Sequence, residues 1–148
     1  AMLSAYEAAR PEATTTDILI AYMTDQMFRL PVIRMAEAQV AQGREAWMYW
    51  FTWASPAFGG ILKSCHALEI PFVFDNLDAF EMLIGTGDDR QGLVDLMQPA
   101  WIRFAHDGNP GWDSYTEATR TTMRFDSTDA GVINDPFSSE REMWAGRA

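Results

Sequence analysis

The chain has 148 residues, 48% apolar and 13% aromatic, and carries a formal charge of −10 from 21 Asp and Glu against 11 Lys and Arg. That composition suits a single globular unit with a sizeable core and excludes a disordered segment. The acidity disfavours nucleic acid and anionic membrane surfaces, which require Lys and Arg, and no run of eighteen apolar residues is present to span a bilayer.

The first ten residues read as a short helix without the long apolar centre of a secretory signal. Pro11 and the Thr14–Thr16 run interrupt it. Asp17 is the expected cap of a second helix. From Ile18 to Leu30, the residues Leu19, Tyr22, Met23, Met27 and Leu30 recur at helical spacing and form the expected apolar face. Pro31 either kinks this helix or opens a new one at its first-turn position. The pattern then continues through Val40 to a stop at Gly43. The run Ala46–Trp53 is aromatic and free of Gly and Pro, so it reads as a strand buried on both faces. A strand after a long helix is the rhythm of an α/β sheet.

Beyond a loop from Ser55 to Gly60 lies the stretch K-S-C-H-A-L-E-I-P-F-V-F-D-N, Lys63 to Asn76, with one of only two histidines, His66. Turn formers bracket it. A histidine on such a loop, just past a strand, is where a scaffold holds a proton-transfer group. Spacing alone leaves His66 structural, merely exposed or catalytic. Cys65 is the sole cysteine, so no disulfide can form within the chain. Its adjacency to His66 does not make a thiol–imidazole pair, because neighbouring side chains rarely meet.

A short acidic helix is expected from Leu77 to Leu83, followed by a polar loop. A stronger helix then carries Leu93, Met97, Ala100, Trp101 and Phe104 on one face. Pro99 should bend or split it. Gly108 and Pro110 end it, with His106 at the negative end of its dipole. Gly111–Thr119, carrying Trp112 and Tyr115, reads as a wet loop. Thr121–Asp126 and Val132–Ile133 read as a strand pair, and Asp135-Pro136 as the start of a closing helix docked by Met143 and Trp144. Trp47, Trp50 and Trp53 are expected in the core, and Asp25 and Asp75 as cap or turn carboxylates.

The segment C-H-A-L-E-I-P-F-V-F-D-N-L-D resembles the histidine loop of type-B carboxylesterases, above all bacterial para-nitrobenzyl esterases, with cholinesterases as more distant relatives. Met23-Thr24-Asp25, Ala46-Trp47-Met48-Tyr49, Ala100–Ala105 and Gly108-Asn109-Pro110 resemble the same family in the same order. The likeness implies that residues 1–148 are the C-terminal part of an α/β-hydrolase fold. It implies a carboxylic-ester hydrolase with a serine acyl-enzyme mechanism, in which His66 is the general base of a Ser-His-Glu triad. Glu69 would then support the loop from beside the site, and Met23 and Met27 would lie near the substrate pocket, with plain core packing as the alternative.

No G-x-S-x-G elbow occurs in the chain, and Gly59-Gly60 lack the context of oxyanion glycines. In the family that the chain resembles both serine and acid precede the histidine, so the resemblance implies that the nucleophile and the triad acid lie upstream. The partners implied are a small-molecule carboxylic ester and the upstream half of the same esterase, and the isolated chain is expected to be inactive. A non-catalytic cholinesterase-like interaction module, or a fragment associating through open sheet edges, are the alternatives. No cofactor is expected: two histidines forty positions apart form no zinc motif, and no glycine-rich phosphate loop is present. The expected setting is soluble, with the cytoplasm favoured.

Overall fold

The computed structural model describes residues 2–146, so Ala1, within the expected first helix, lies outside the described residues. Helix α1 spans Met2–Ala9 and α2 spans Thr15–Thr24. The cap of α2 is Thr14 rather than Asp17. The Thr14 hydroxyl accepts from the Asp17 amide at 3.2 Å, and the Asp17 carboxylate accepts from the Thr14 amide at 3.0 Å. This reciprocal box satisfies two amides that would otherwise lack partners. A π-helical turn, Asp25–Arg29, comes next, and α3 runs Leu30–Ala41 with Pro31 in its first turn. The π turn closes through the Leu30 amide on the Asp25 carbonyl. Pro31 has no amide to donate, and its ring displaces the carbonyl four residues back, so the preceding turn widens.

Of the apolar face expected from Ile18 to Leu30, only Leu30 is buried and Tyr22 half-buried. Leu19, Met23 and Met27 are exposed, whereas Ile18, off that face, is buried. The π turn inserts an extra residue and rotates the side chains C-terminal to it. Asp25 is no simple cap either. It is 4% exposed, accepts from the Tyr6 hydroxyl at 2.6 Å, and is gripped by Arg29 at 2.6 and 2.7 Å.

Strand β1 is Met48–Phe51. The chain then passes through a 3-10 turn, Ala57–Gly60, to α4 (Ile70–Val73). A second 3-10 turn, Asp78–Phe80, leads into α5 (Glu81–Ile84), followed by α6 (Asp89–Asp107). Pro99 does not split α6. Gly108, at φ +70°, ends it with its amide on the Phe104 carbonyl at 2.9 Å. Strands β2 (Thr121–Phe125) and β3 (Gly131–Asn134) and helix α7 (Ser138–Met143) complete the chain. The cap residue of α7 is Phe137, in a left-handed conformation, two residues after the expected Asp135 start.

The sheet has the order β1-β2-β3, with β1 parallel to β2 (Met48 opposite Thr122) and β3 antiparallel to it (Thr121 opposite Asn134). The crossover from β1 to β2 carries α4, α5 and α6, so this is an α/β architecture with a mixed sheet. The β1 run was expected to be covered on both faces. Instead β1 lies at the sheet's margin, only part-buried, with one edge unpaired among the described residues. The core lies between sheet and crossover: Phe72 and Val73 of α4 and Leu93, Val94 and Met97 of α6 meet Trp53 and Phe125. Tyr115, expected in a wet loop, is 2% exposed and ties the loop to the start of β1 through its amide on the Ala46 carbonyl at 2.7 Å. Of the tryptophan series, Trp53 is in the core and Trp47 and Trp50 are half-buried. No described helix is long and apolar enough to cross a membrane.

Candidate active site

The loop carrying His66 is fixed at its base by the backbone just beyond β1. The Ser55 amide donates to the Lys63 carbonyl at 3.1 Å. The Ser64 hydroxyl sits 2.6 and 2.7 Å from the carbonyls of Thr52 and Trp53. The Ser55 hydroxyl reaches the Leu83 carbonyl at 2.5 Å, tying the strand exit to α5. Farther out, Lys63 pairs with Asp17 of α2. Hydrogen bonds from Lys63 and Thr14 hold the Asp17 carboxyl down to about 2.

The turn itself runs from His66 to Glu69. Ala67 takes a left-handed conformation at φ +66°, which costs a residue with a Cβ about 1–2 kcal/mol. Burial of Leu68 and Phe72 offsets this, because each large apolar side chain removed from water contributes roughly 1.5–3 kcal/mol. Phe72 packs at 5.2 Å from Trp53 and 5.6 Å from Phe51, measured between ring centres. The sharp turn therefore drives Leu68 inward and leaves His66 exposed.

The His66 imidazole makes an offset stack with Phe28 of the π turn, with ring centres 5.4 Å apart and planes 22° from parallel. Among the described residues no hydrogen bond or ion pair occupies its ring nitrogens. Glu69 is half-buried and partners Tyr49 of β1 instead. Burial raises the Tyr49 hydroxyl's pKa, and the charge and hydrogen bond of Glu69 add to the rise.

Beside this turn, a cavity of about 230 Å³ opens between the α2–α3 rod and β1, walled by Phe28, Val32, Ile33, Met48, Tyr49 and Phe137. Met23 and Met27 do not line it. They stand on the outer face of the rod, 46% and 57% exposed. Cys65 is a free, half-buried thiol packed against the core, and no group of three or more His, Cys, Asp or Glu among the described residues could hold a metal ion. Sequence reasoning missed Phe28 altogether. The available signal was Pro31 three residues later, which marks a distorted turn before it.

The profile of the "Carboxylesterase family" matches residues 2–144. The chain is 40% identical over 127 residues to the para-nitrobenzyl esterase of Bacillus subtilis (strain 168), covering 81% of this chain and 25% of that protein. It is 31% identical over 137 residues to the phenmedipham hydrolase of Pseudarthrobacter oxydans, covering 89% of this chain and 27% of the relative. Among solved structures, a carboxylesterase of Geobacillus stearothermophilus superposes with a TM-score of 0.82 at 34% identity, over 97% of this chain and 31% of the other. A PNB esterase gives 0.76 at 34% identity, over 95% and 32%. The chain thus spans about a quarter of the length of these curated relatives, and its strands and helices form part of the α/β-hydrolase fold of the matched esterases. The chain belongs to the carboxylesterase family.

Proposed function

We propose that residues 1–148 form the C-terminal segment of a carboxylic-ester hydrolase and supply its general base, His66. The observation that carries this reading is an exposed imidazole on a turn anchored at the carboxyl end of β1, with no hydrogen bond on its nitrogens among the described residues. The serine nucleophile and triad acid come from an upstream segment of the same esterase.

The neutral imidazole takes the serine hydroxyl proton as that oxygen attacks the ester carbonyl. It returns the proton to the leaving alcohol as the acyl-enzyme forms, and the two transfers repeat with water as nucleophile. Glu69 supports the turn from beside the site, and Met23 and Met27, exposed on the outer face of the rod, border the ester's apolar part where the upstream segment closes over that face.

Two features support an upstream partner. The margin strand β1 carries none of the charges or prolines that shield a solvent-facing edge. The outer face of α2–α3 exposes Leu19, Ile20, Met23, Met27 and Met35, and exposed apolar area of this kind marks a surface that packs against something.

The test is hydrolysis of a para-nitrophenyl ester by the chain alone, by the chain combined with the upstream segment, and by the same combination carrying His66→Ala. Activity is expected only in the combination. His66→Ala should lower kcat by roughly 10²–10⁴-fold with the fold retained. An alanine variant as active as wild type would remove His66 from the mechanism.

A further inference from the structure

The ring stacked on His66 comes from the one π-helical turn among the described residues. In the π turn Asp25–Arg29, the Leu30 amide bonds five residues back to the Asp25 carbonyl. One extra residue in a turn shifts the later side chains by about 100° relative to a continuous α-helix. Phe28 stands within this turn with its ring centre 5.4 Å from that of the imidazole, while Met27 beside it stays outside.

The turn is held from within the protein. Arg29 grips Asp25 with two hydrogen bonds of 2.6 and 2.7 Å, donates to the Pro136 carbonyl at 2.8 Å, and reaches Glu140 of α7 at 3.3 Å. Its guanidinium lies over the Phe137 ring at 5.3 Å. Tyr6 of α1 bonds to Asp25 and accepts from the Trp144 indole at 2.9 Å. The wide turn is thus locked to both ends of the chain, and Phe28 is the side chain it presents to the histidine.

We propose that Phe28 is a positioning residue for His66. This rests on the reading of His66 as the general base. An aromatic face against an imidazole face restricts rotation of the ring but uses neither nitrogen. Both in-plane positions stay free, one for the nucleophile and one for the orienting acid. A polar partner would have consumed one of them. Because misplacement of a catalytic group by about 1 Å can cost on the order of 10²-fold in rate, a face contact that limits ring motion acts on turnover and not on substrate affinity.

The experiment compares Phe28→Leu and Phe28→Tyr in the esterase in which this chain works, on para-nitrophenyl acetate and butyrate. It is combined with imidazole 1H–13C spectra of the 148-residue chain, which has only two histidines to assign. Phe28→Leu should lower kcat about 10-fold or more on both esters, with KM within about twofold, and Phe28→Tyr should restore kcat to within about twofold. The His66 ring protons should be shifted upfield by the facing ring in wild type and Phe28→Tyr, and lose that shift in Phe28→Leu. Phe28 is itself half exposed, so its loss leaves the core intact.

An unchanged kcat in Phe28→Leu overturns the proposal. So does a KM that rises with acyl length at constant kcat, which makes Phe28 a wall of the substrate space. A folded Phe28→Tyr that fails to recover activity overturns it as well. If instead His66→Ala keeps full activity, the assignment of the base has failed, and that result is separate from any behaviour of Phe28.

Discussion

Replacing Glu140 by Gln probes how the two ends of the chain are held together. The Glu140 side chain is 1% exposed and serves two arginines. It pairs with Arg10, accepts from Arg10 Nη2 at 3.1 Å, and accepts from Arg29 Nη2 at 3.3 Å. With Asp25 the cluster holds two positive and two negative charges. Gln matches the volume, so no cavity forms, but it removes one charge and turns a donor toward a guanidinium. Removing one member of a buried pair costs about 3–5 kcal/mol. Here Arg10 and Arg29 keep 22% and 16% of their side-chain surface in contact with water. Arg29 also retains Asp25 and the Pro136 carbonyl. The lower end, about 3 kcal/mol, is therefore expected. For a chain of this size that corresponds to a fall in melting temperature of about 6–12 °C.

Thermal unfolding of the 148-residue chain followed by far-UV circular dichroism measures the change. It should persist at high salt, because buried pairs are weakly screened. Glu142→Gln is the matched control, since Glu142 keeps 68% of its side-chain surface exposed in its pair with Arg141 and such pairs contribute about 0–1 kcal/mol. A melting temperature for Glu140→Gln within about 2 °C of wild type would refute the reasoning.

Phe72→Ala empties the centre of the aromatic cluster beneath the histidine turn and should cost about 3–5 kcal/mol in urea unfolding; a loss below about 1 kcal/mol would mean that Phe72 does not anchor the loop. The Asp135 carboxyl is held below the usual carboxylate range, first by its hydrogen bond from Arg141, with burial opposing. A depressed folded value contributes stability that is present above the unfolded value near ~3.9 and lost as pH falls through the lower folded value. The stability gap between wild type and Asp135→Asn should therefore be widest near neutral pH and close in strong acid. A gap unchanged between neutral pH and strong acid would remove the Arg141 interaction as its source.

Local signals were legible where the physics is local. Thr14 to Asp17 holds a capping box in four residues, although the expected cap was Asp17. Pro31 opens α3, and Gly108 closes α6 in the left-handed conformation that glycine adopts without strain. The strands at 48–51, 121–125 and 131–134 stand where the aromatic and β-branched runs put them. Which face of α2 is buried could not be read the same way. Apolar spacing pointed to Leu19, Met23 and Met27, yet the buried side chain that matters most is the charged Asp25. Its partners Tyr6 and Arg29 lie on other turns, and Trp144 and Glu140 stand at the far end of the chain. Periodicity records how many apolar residues share a stripe and says nothing of what covers it.

By itself the sequence determined the α/β rhythm, the main helices and strands, the histidine turn and, through its likeness to esterases, the family to which the chain belongs. Tertiary structure alone decided that β1 is a margin strand, that Tyr115 is buried, and that Arg29 bridges α7 to a widened turn. It also decided that Phe28, an inconspicuous residue in a helical run, meets His66. Caps, turns and motifs act across a few neighbouring residues and leave their mark in order along the chain. A ring stack between positions 28 and 66, or a carboxylate shared by Arg10 and Arg29, exists only once the chain has folded back on itself.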